Sequence, residues 1–173
     1  MSSMGKENRT VEGKKQAKLK NSLQPMPKVL VSCRGTDGEE NVLAVAYCGN
    51  CSYDPPMVMV GIVPSRYSYH MIKNAQCFVI NLPTLDNKEM FDYLGKVSRR
   101  DEDKLAKCKT QNADLIDAPM LMDCPVNIEC QVVDSIKTGS HEMFIAMVLK
   151  VHADENVLTG GKIDLEKLNL IKE

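Results

Sequence analysis

The residues with the most chemistry in this chain lie in one run, Asn41-Val42-Leu43-Ala44-Val45-Ala46-Tyr47-Cys48-Gly49-Asn50-Cys51-Ser52, closed by Tyr53-Asp54-Pro55-Pro56. Cys48 and Cys51 stand two residues apart, a spacing that would suit dithiol exchange if a local field lowered their pKa. The same stretch reads equally as inert thiols. A zinc site would need two further ligands, and Cys124 and Cys130 lack the usual spacing, so no metal is expected. The small and polar residues after Tyr47 predict a turn at a strand end, where free backbone amides could meet a ligand. A second candidate is Pro64-Ser65-Arg66-Tyr67-Ser68, at the predicted start of a short helix. Helix N-termini present N–H groups and partial positive charge, which suit a phosphate, and Arg66 and Ser68 could add donors. The competing reading is that Ser65 and Ser68 cap the helix while Arg66 lies on the surface. The run Ser98-Arg99-Arg100-Asp101-Glu102-Asp103-Lys104 reads by itself as a solvated face, and His141, opening a strand after Thr138-Gly139-Ser140, as a structural histidine. No Ser-His-Asp constellation is evident.

Short β-like runs divided by turn residues must position these groups. Val29 to Cys33 and Val42 to Tyr47 flank Asp37-Gly38, a hairpin signal. Met57 to Val63 and Met143 to Val151 are apolar on both faces, so both are expected to be central or doubly covered. Cys77 to Leu82 is another run, and Val126, Ile128, Cys130 and Val132 alternate with polar residues at the period of a half-buried strand. Helices are predicted from Arg66 to Asn74 behind Ser65, and from Asp86, with Glu89 as a capping-box partner, to Gly95. Further helical turns are expected at 101–107 and 164–168. The class is mainly β with a few short helices, and paired hairpins favour a closed or partly closed antiparallel barrel.

The chain has 173 residues, one domain's length, with Lys and Arg (22) nearly balanced by Asp and Glu (23). That balance argues against a nucleic-acid or membrane-surface role. No apolar run nears the roughly 20 residues a spanning helix needs. Seven cysteines scattered through apolar segments suit reduced thiols in a cytoplasmic protein. Residues 1–23 are polar and Lys-rich and are expected to form a mobile tail, leaving 24–173 as the domain.

Taken in order, several pieces of this sequence resemble one family: Asn41-Val42 with Tyr47, Asp54-Pro55-Pro56-Met57-Val58, Arg66-Tyr67-Ser68 with Ile72, Phe78-Val79-Ile80-Asn81-Leu82-Pro83, Arg100-Asp101 with Asp103-Lys104, and Gly139 with His141 and Phe144. The chain resembles the flavin reductase-like, FMN-binding split-barrel proteins, its flavoredoxin-like members above all, from about Leu23 to Leu168. The resemblance implies a six-stranded Greek-key split barrel that forms a homodimer and holds FMN near the dimer interface. It places Asn41 and Tyr47 against the flavin and the backbone from Cys48 through Gly49, Asn50 and Cys51 to Ser52 beside its ring. It also places Arg66 and Ser68 at the phosphate, Asn81 among the cofactor-binding positions, and Lys104 and His141 near the flavin. Reduced flavin gathers negative charge at N1 and O2, so a cation there stabilises it. Tyr47 stands where many relatives carry Trp, and Ser68 where Thr is frequent. Relatives commonly extend past the position of Glu173 with a segment that helps cover the flavin, so either a more exposed or more weakly held flavin, or a cover supplied by a partner subunit, is expected here.

The activity implied is that of an FMN-dependent oxidoreductase, fed by NADH or NADPH, or by a redox protein such as ferredoxin. Gly160-Gly161 lacks the pattern of a nicotinamide fingerprint. Two alternatives stay open: a non-catalytic barrel used for protein interaction, and a flavin/thiol redox protein using Cys48 and Cys51.

Overall fold

A computed structural model describes residues 11–171. The expected tail lies partly outside that range. From residue 11 to 28 the chain forms no helix or strand and is almost wholly exposed.

One antiparallel sheet dominates. Strands β1 (Val29–Arg34) and β2 (Glu40–Val45) form the expected hairpin. In its turn Gly38 adopts φ 86° and Asp37 Oδ1 accepts from Glu39 N at 3.0 Å. β3 (Cys48–Ser52) and β4 (Met57–Ile62) follow, then helix α1 (Ser68–Ala75), β5 (Cys77–Leu82) and helix α2 (Lys88–Lys96). A two-stranded pair, β6 (Thr110–Asn112) and β7 (Pro119–Leu121), precedes the long hairpin of β8 (Val126–Lys137) and β9 (Glu142–Ala153). A last small pair, β10 (Leu158–Thr159) with β11 (Lys162–Ile163), follows, and a bridge from Thr84 to Leu170 ties the chain beyond it back to the loop after β5.

The main sheet has seven strands in the order β2-β1-β5-β8-β9-β4-β3, an open curled half-barrel rather than the closed six-stranded barrel expected. The difference arises at Cys48–Ser52. That segment, predicted as a turn with free amides, pairs antiparallel with β4 through a bulge near Asn50 and Ser52. A seventh strand therefore exists, and it ends the sheet at the edge opposite β2, although only Ala46 and Tyr47 separate the two in sequence. The chain turns sharply there, held by Gly61 N donating to Tyr47 O at 2.7 Å.

The two helices cover the β1 hairpin from opposite sides. Val29, Val31 and Cys33 face the main core with Tyr69 and Ile72 of α1, while Leu30 faces a second cluster with Val42, Leu94 and Leu105. β1 is buried on both faces for that reason. β4 and β9 behave differently. Val58, Val60, Phe144 and Ala146 point into the core, but the alternate positions Met57, Met59, Met143, Ile145 and Met147 are only half-buried on the outer face. Their two-sided apolar pattern is covered on one side only by the described residues.

Helix boundaries moved slightly. α1 begins at Ser68 behind Tyr67, so Ser65 does not cap it, and Gln76 ends it in the left-handed region at φ 59°. α2 begins at Lys88 after a 3-10 turn, and its entry is fixed by Thr84 N donating to Asn87 Oδ1 at 2.7 Å rather than by an Asp86–Glu89 box.

Asn81 is fully buried at the crossing of β1, β5, β7 and β8. Its amide donates to Leu30 O (3.1 Å) and Ser32 Oγ (2.9 Å). Its oxygen accepts from Leu121 N (3.0 Å) and Asn127 Nδ2 (2.7 Å). An apolar replacement would strand these buried groups, and Asn81→Leu is predicted to cost about 2–4 kcal/mol. A shifted urea midpoint at unchanged slope checks it; a midpoint within error of wild type would contradict it.

Candidate functional site

Two clefts flank the seam where β2 passes into β3. The first, about 260 Å³, lies between β2, the start of α1 and the end of α2, and Asn41, Arg66, Ser68 and Lys104 line it together. The second, about 820 Å³, is walled by residues 20–23 and 25–27, by Tyr47, Cys48 and Gly49, by Met59, and by the turn into β9 with His141 and Met143. Eight of the expected site residues thus sort into two places. Asn50, Cys51 and Ser52 line neither, and Asn81 is committed to the sheet crossing described above.

Lys104 has the most constrained environment in the first cleft. It opens a 3-10 turn (Lys104–Lys107) that packs beside β2, and it is 4% exposed. Its Nζ donates to Leu94 O at 2.8 Å, satisfying one of the carbonyls left over in the last turn of α2. An ammonium has three donors, so two remain for a ligand. Burial, and secondly repulsion from the Arg66 guanidinium, lower the Lys104 pKa to about 8. Asn41, also buried, donates from Nδ2 to Ser68 Oγ at 2.8 Å, whereas its Oδ1 is buried without a hydrogen-bond partner. Arg66 stands exposed at the approach to α1.

A phosphate and a polyol fit these groups. The cations and the helix start suit the phosphate. The buried Asn41 oxygen needs a donor, which hydroxyl groups supply and a phosphate dianion does not.

In the second cleft, Tyr47 and His141 pack edge to face with ring centroids 4.8 Å apart. His141 Nδ1 lies 2.7 Å from Ser140 Oγ, and Tyr47 OH accepts from Asn21 Nδ2 at 2.6 Å. Gly61 lies beneath this pair: a Cβ there would sit in ordinary contact, 3.4 Å from Tyr47 Cβ and 3.5 Å from His141 Cδ2. Sequence reading passed over Lys96, Arg99 and Arg100 as groups lining the first cleft, because alternating charge carries no direction until the chain folds.

Cys48 and Cys51 are free thiols on β3, Cys48 half-buried and Cys51 exposed, and a bulge lies between Asn50 and Ser52. Burial pushes the Cys48 thiol up to about 11, away from thiolate character. Among the described residues one group of potential metal ligands does gather, Asp114, Glu129 and His152. Glu129 already accepts from Asp114 N (3.0 Å), Leu115 N (2.7 Å) and the His152 ring, so it ties the loop before β7 to the sheet.

The sequence profile of the flavin reductase like domain matches residues 22–164. An uncharacterized protein of Pyrococcus abyssi is 31% identical over 144 residues, covering 83% of each chain. Among solved structures, a flavoredoxin from Methanosarcina acetivorans superposes with TM-score 0.83 at 28% identity, over 91% of this chain and 85% of its own. The flavoredoxin of Desulfovibrio vulgaris (Miyazaki F) gives 0.78 at 28% identity, over 87% and 82%.

Lys104 is predicted to titrate near pH 8 in the ligand-free protein, read from its Cε and Hε resonances in lysine-labelled samples. Arg66→Gln removes the second cause and raises the midpoint. A midpoint at the ordinary lysine value in both proteins would contradict the buried position.

Proposed function

This chain belongs to the flavin reductase like domain family, and we propose that the flavin it uses is FMN, bound across the seam between the two clefts. The protein is a flavin-binding oxidoreductase. The observation that carries FMN is the pairing of a buried ammonium with spare donors and a buried amide oxygen lacking any donor, side by side in one cleft. A flavin mononucleotide brings a phosphate for the first and ribityl hydroxyls for the second.

Bound flavin supplies hydride and electron transfer, so the chain needs no nucleophile of its own. Its residues bind and orient. Arg66 and Lys104 offset the phosphate charge, while Ser68, fixed by Asn41, adds a hydroxyl. Tyr47 offers a flat wall at the second cleft, and Gly49 lets a planar ring approach the strand. His141 stands where it can meet negative charge at the ring's edge, with its orientation set by Ser140 and Tyr47. NADH or NADPH, or a protein such as ferredoxin, delivers the electrons.

The assembly proposed is a homodimer. Met57, Met59, Met143, Ile145 and Met147 give adjacent strands one apolar outer face next to the second cleft, continuous through the pairs Met57–Met147 and Met59–Ile145. A second copy laid on that face would bury it and bring its own residues to the flavin. Ile145→Glu is predicted to give a particle of half the mass by light scattering and to lose flavin. A variant that stays dimeric and yellow would contradict this interface.

Purified protein is predicted to be yellow and to release FMN on denaturation. Lys104→Met should weaken FMN binding by about tenfold or more, from the loss of a charge-assisted hydrogen bond. The sign of the pH effect follows from the lowered pKa. Below about 8 Lys104 is charged in the free protein and attracts the dianion; as pH rises through about 8 it loses its proton and affinity falls. Fluorescence titration from pH 6.5 to 9.5 checks both. Affinity flat across that range in wild type, or a colourless protein that refuses added FMN, would refute the reading.

A further inference from the structure

The charged run 98–104 was read as a solvated face, but the fold sorts it by sign. Arg99, Arg100 and Lys104 line the first cleft together with Arg66 and with Lys96 from the last turn of α2, and no carboxylate lines it. Two acids of the run are engaged beside it: Glu102 pairs with Lys107 at 3.6 Å, and Asp103 lines a neighbouring cleft with its Oδ1 3.9 Å from Arg99 Nε. In a chain of net charge −1, this is a concentrated positive field.

One phosphate dianion does not balance it. Arg66 and Lys104 already offset two charges. Arg99 is engaged by two carboxylates outside the cleft, Glu39 at 3.0 Å from Nη2 and Asp103 at 3.9 Å from Nε. Lys96 and Arg100 remain, and neither has an acidic partner among the described residues. Arg100 is nonetheless held: it stacks over the Tyr67 ring at 5.4 Å and donates to Ser65 O at 3.2 Å. A guanidinium pinned at the mouth of a cleft, instead of sweeping through solvent, loses little entropy on meeting an anion. Lys96 is brought to the same mouth by close packing, since a Cβ on Gly95 would lie 3.3 Å from Ala44 Cβ.

Resting on the FMN reading, we propose that Lys96 and Arg100 form a second phosphate subsite at the mouth of this cleft, one that takes the additional phosphate of a dinucleotide. That chemistry has two sources. The diphosphate of FAD would place the flavin's own second phosphate there. A nicotinamide dinucleotide would place there a phosphate of the electron donor, beside FMN.

The test compares wild type with the Lys96→Gln/Arg100→Gln double variant. FMN and FAD are titrated into flavin-free protein by fluorescence, and KM for NADPH and NADH is measured at saturating FMN. The subsite predicts that FMN affinity changes by no more than about twofold while a dinucleotide loses about tenfold or more. Loss confined to FAD assigns the subsite to the flavin; a raised KM at unchanged kcat assigns it to the nicotinamide donor. FMN weakening as much as the dinucleotides would overturn the proposal, because all the cations would then serve one phosphate. No change for any ligand would overturn it too. Wild type that quenches neither flavin would refute the FMN reading itself, a result told apart from the others by the missing signal.

Discussion

The site depends on keeping an ammonium group out of water with a single protein acceptor. Lys104 reaches Leu94 O, and in doing so joins the end of α2 to the turn beside β2. Desolvation makes this a costly arrangement while the ammonium stays charged, and the lowered pKa records that cost. The penalty is present in full below about pH 8 and is relieved as pH climbs toward the ordinary lysine value, where the unfolded chain still holds its proton. A protein selected for stability alone would place an apolar side chain here. An anion in the cleft reverses the balance, since the charge then has a partner in the same low-dielectric setting. Asn41 follows the same logic: its buried oxygen is a liability unless a ligand donates to it.

The open sheet explains how such a site can exist. In a closed barrel β2 and β3 would hydrogen-bond to each other; here they end opposite edges of the sheet, and only two residues join them. The seam this leaves offers backbone and side chains to two clefts at once. β4 then serves two purposes: Val58 and Val60 fill the core, while Met57 and Met59 present an apolar exterior.

Much of this was legible in the sequence where local physics decides. Asp37-Gly38 fixed the first hairpin, and the alternation at 126–132 fixed β8. The helix at 66–74 appeared within two residues of its place, because apolar spacing marks a helix better than it marks its ends. Asn41, Arg66, Ser68 and Lys104 were named from resemblance and do line one cleft. What the sequence hid was non-local. Cys48–Ser52 has the composition of a turn, and only pairing with β4 makes it a strand. Resemblance places Asn81 among the cofactor-binding positions; its side chain is bonded to partners on three other strands, which no local pattern discloses. Cys48 and Cys51, read as neighbours from their spacing, fall on one strand with both thiols free.

The most direct test of the central claim compares FMN with riboflavin, which share the ring and ribityl chain and differ only in the phosphate. If Arg66 and Lys104 hold that phosphate, calorimetry at pH 7 should show riboflavin binding about 100-fold more weakly than FMN, as the loss of two charge-assisted contacts predicts. Equal affinities for the two would mean that the buried ammonium does not meet the phosphate, and the account would be wrong at its base.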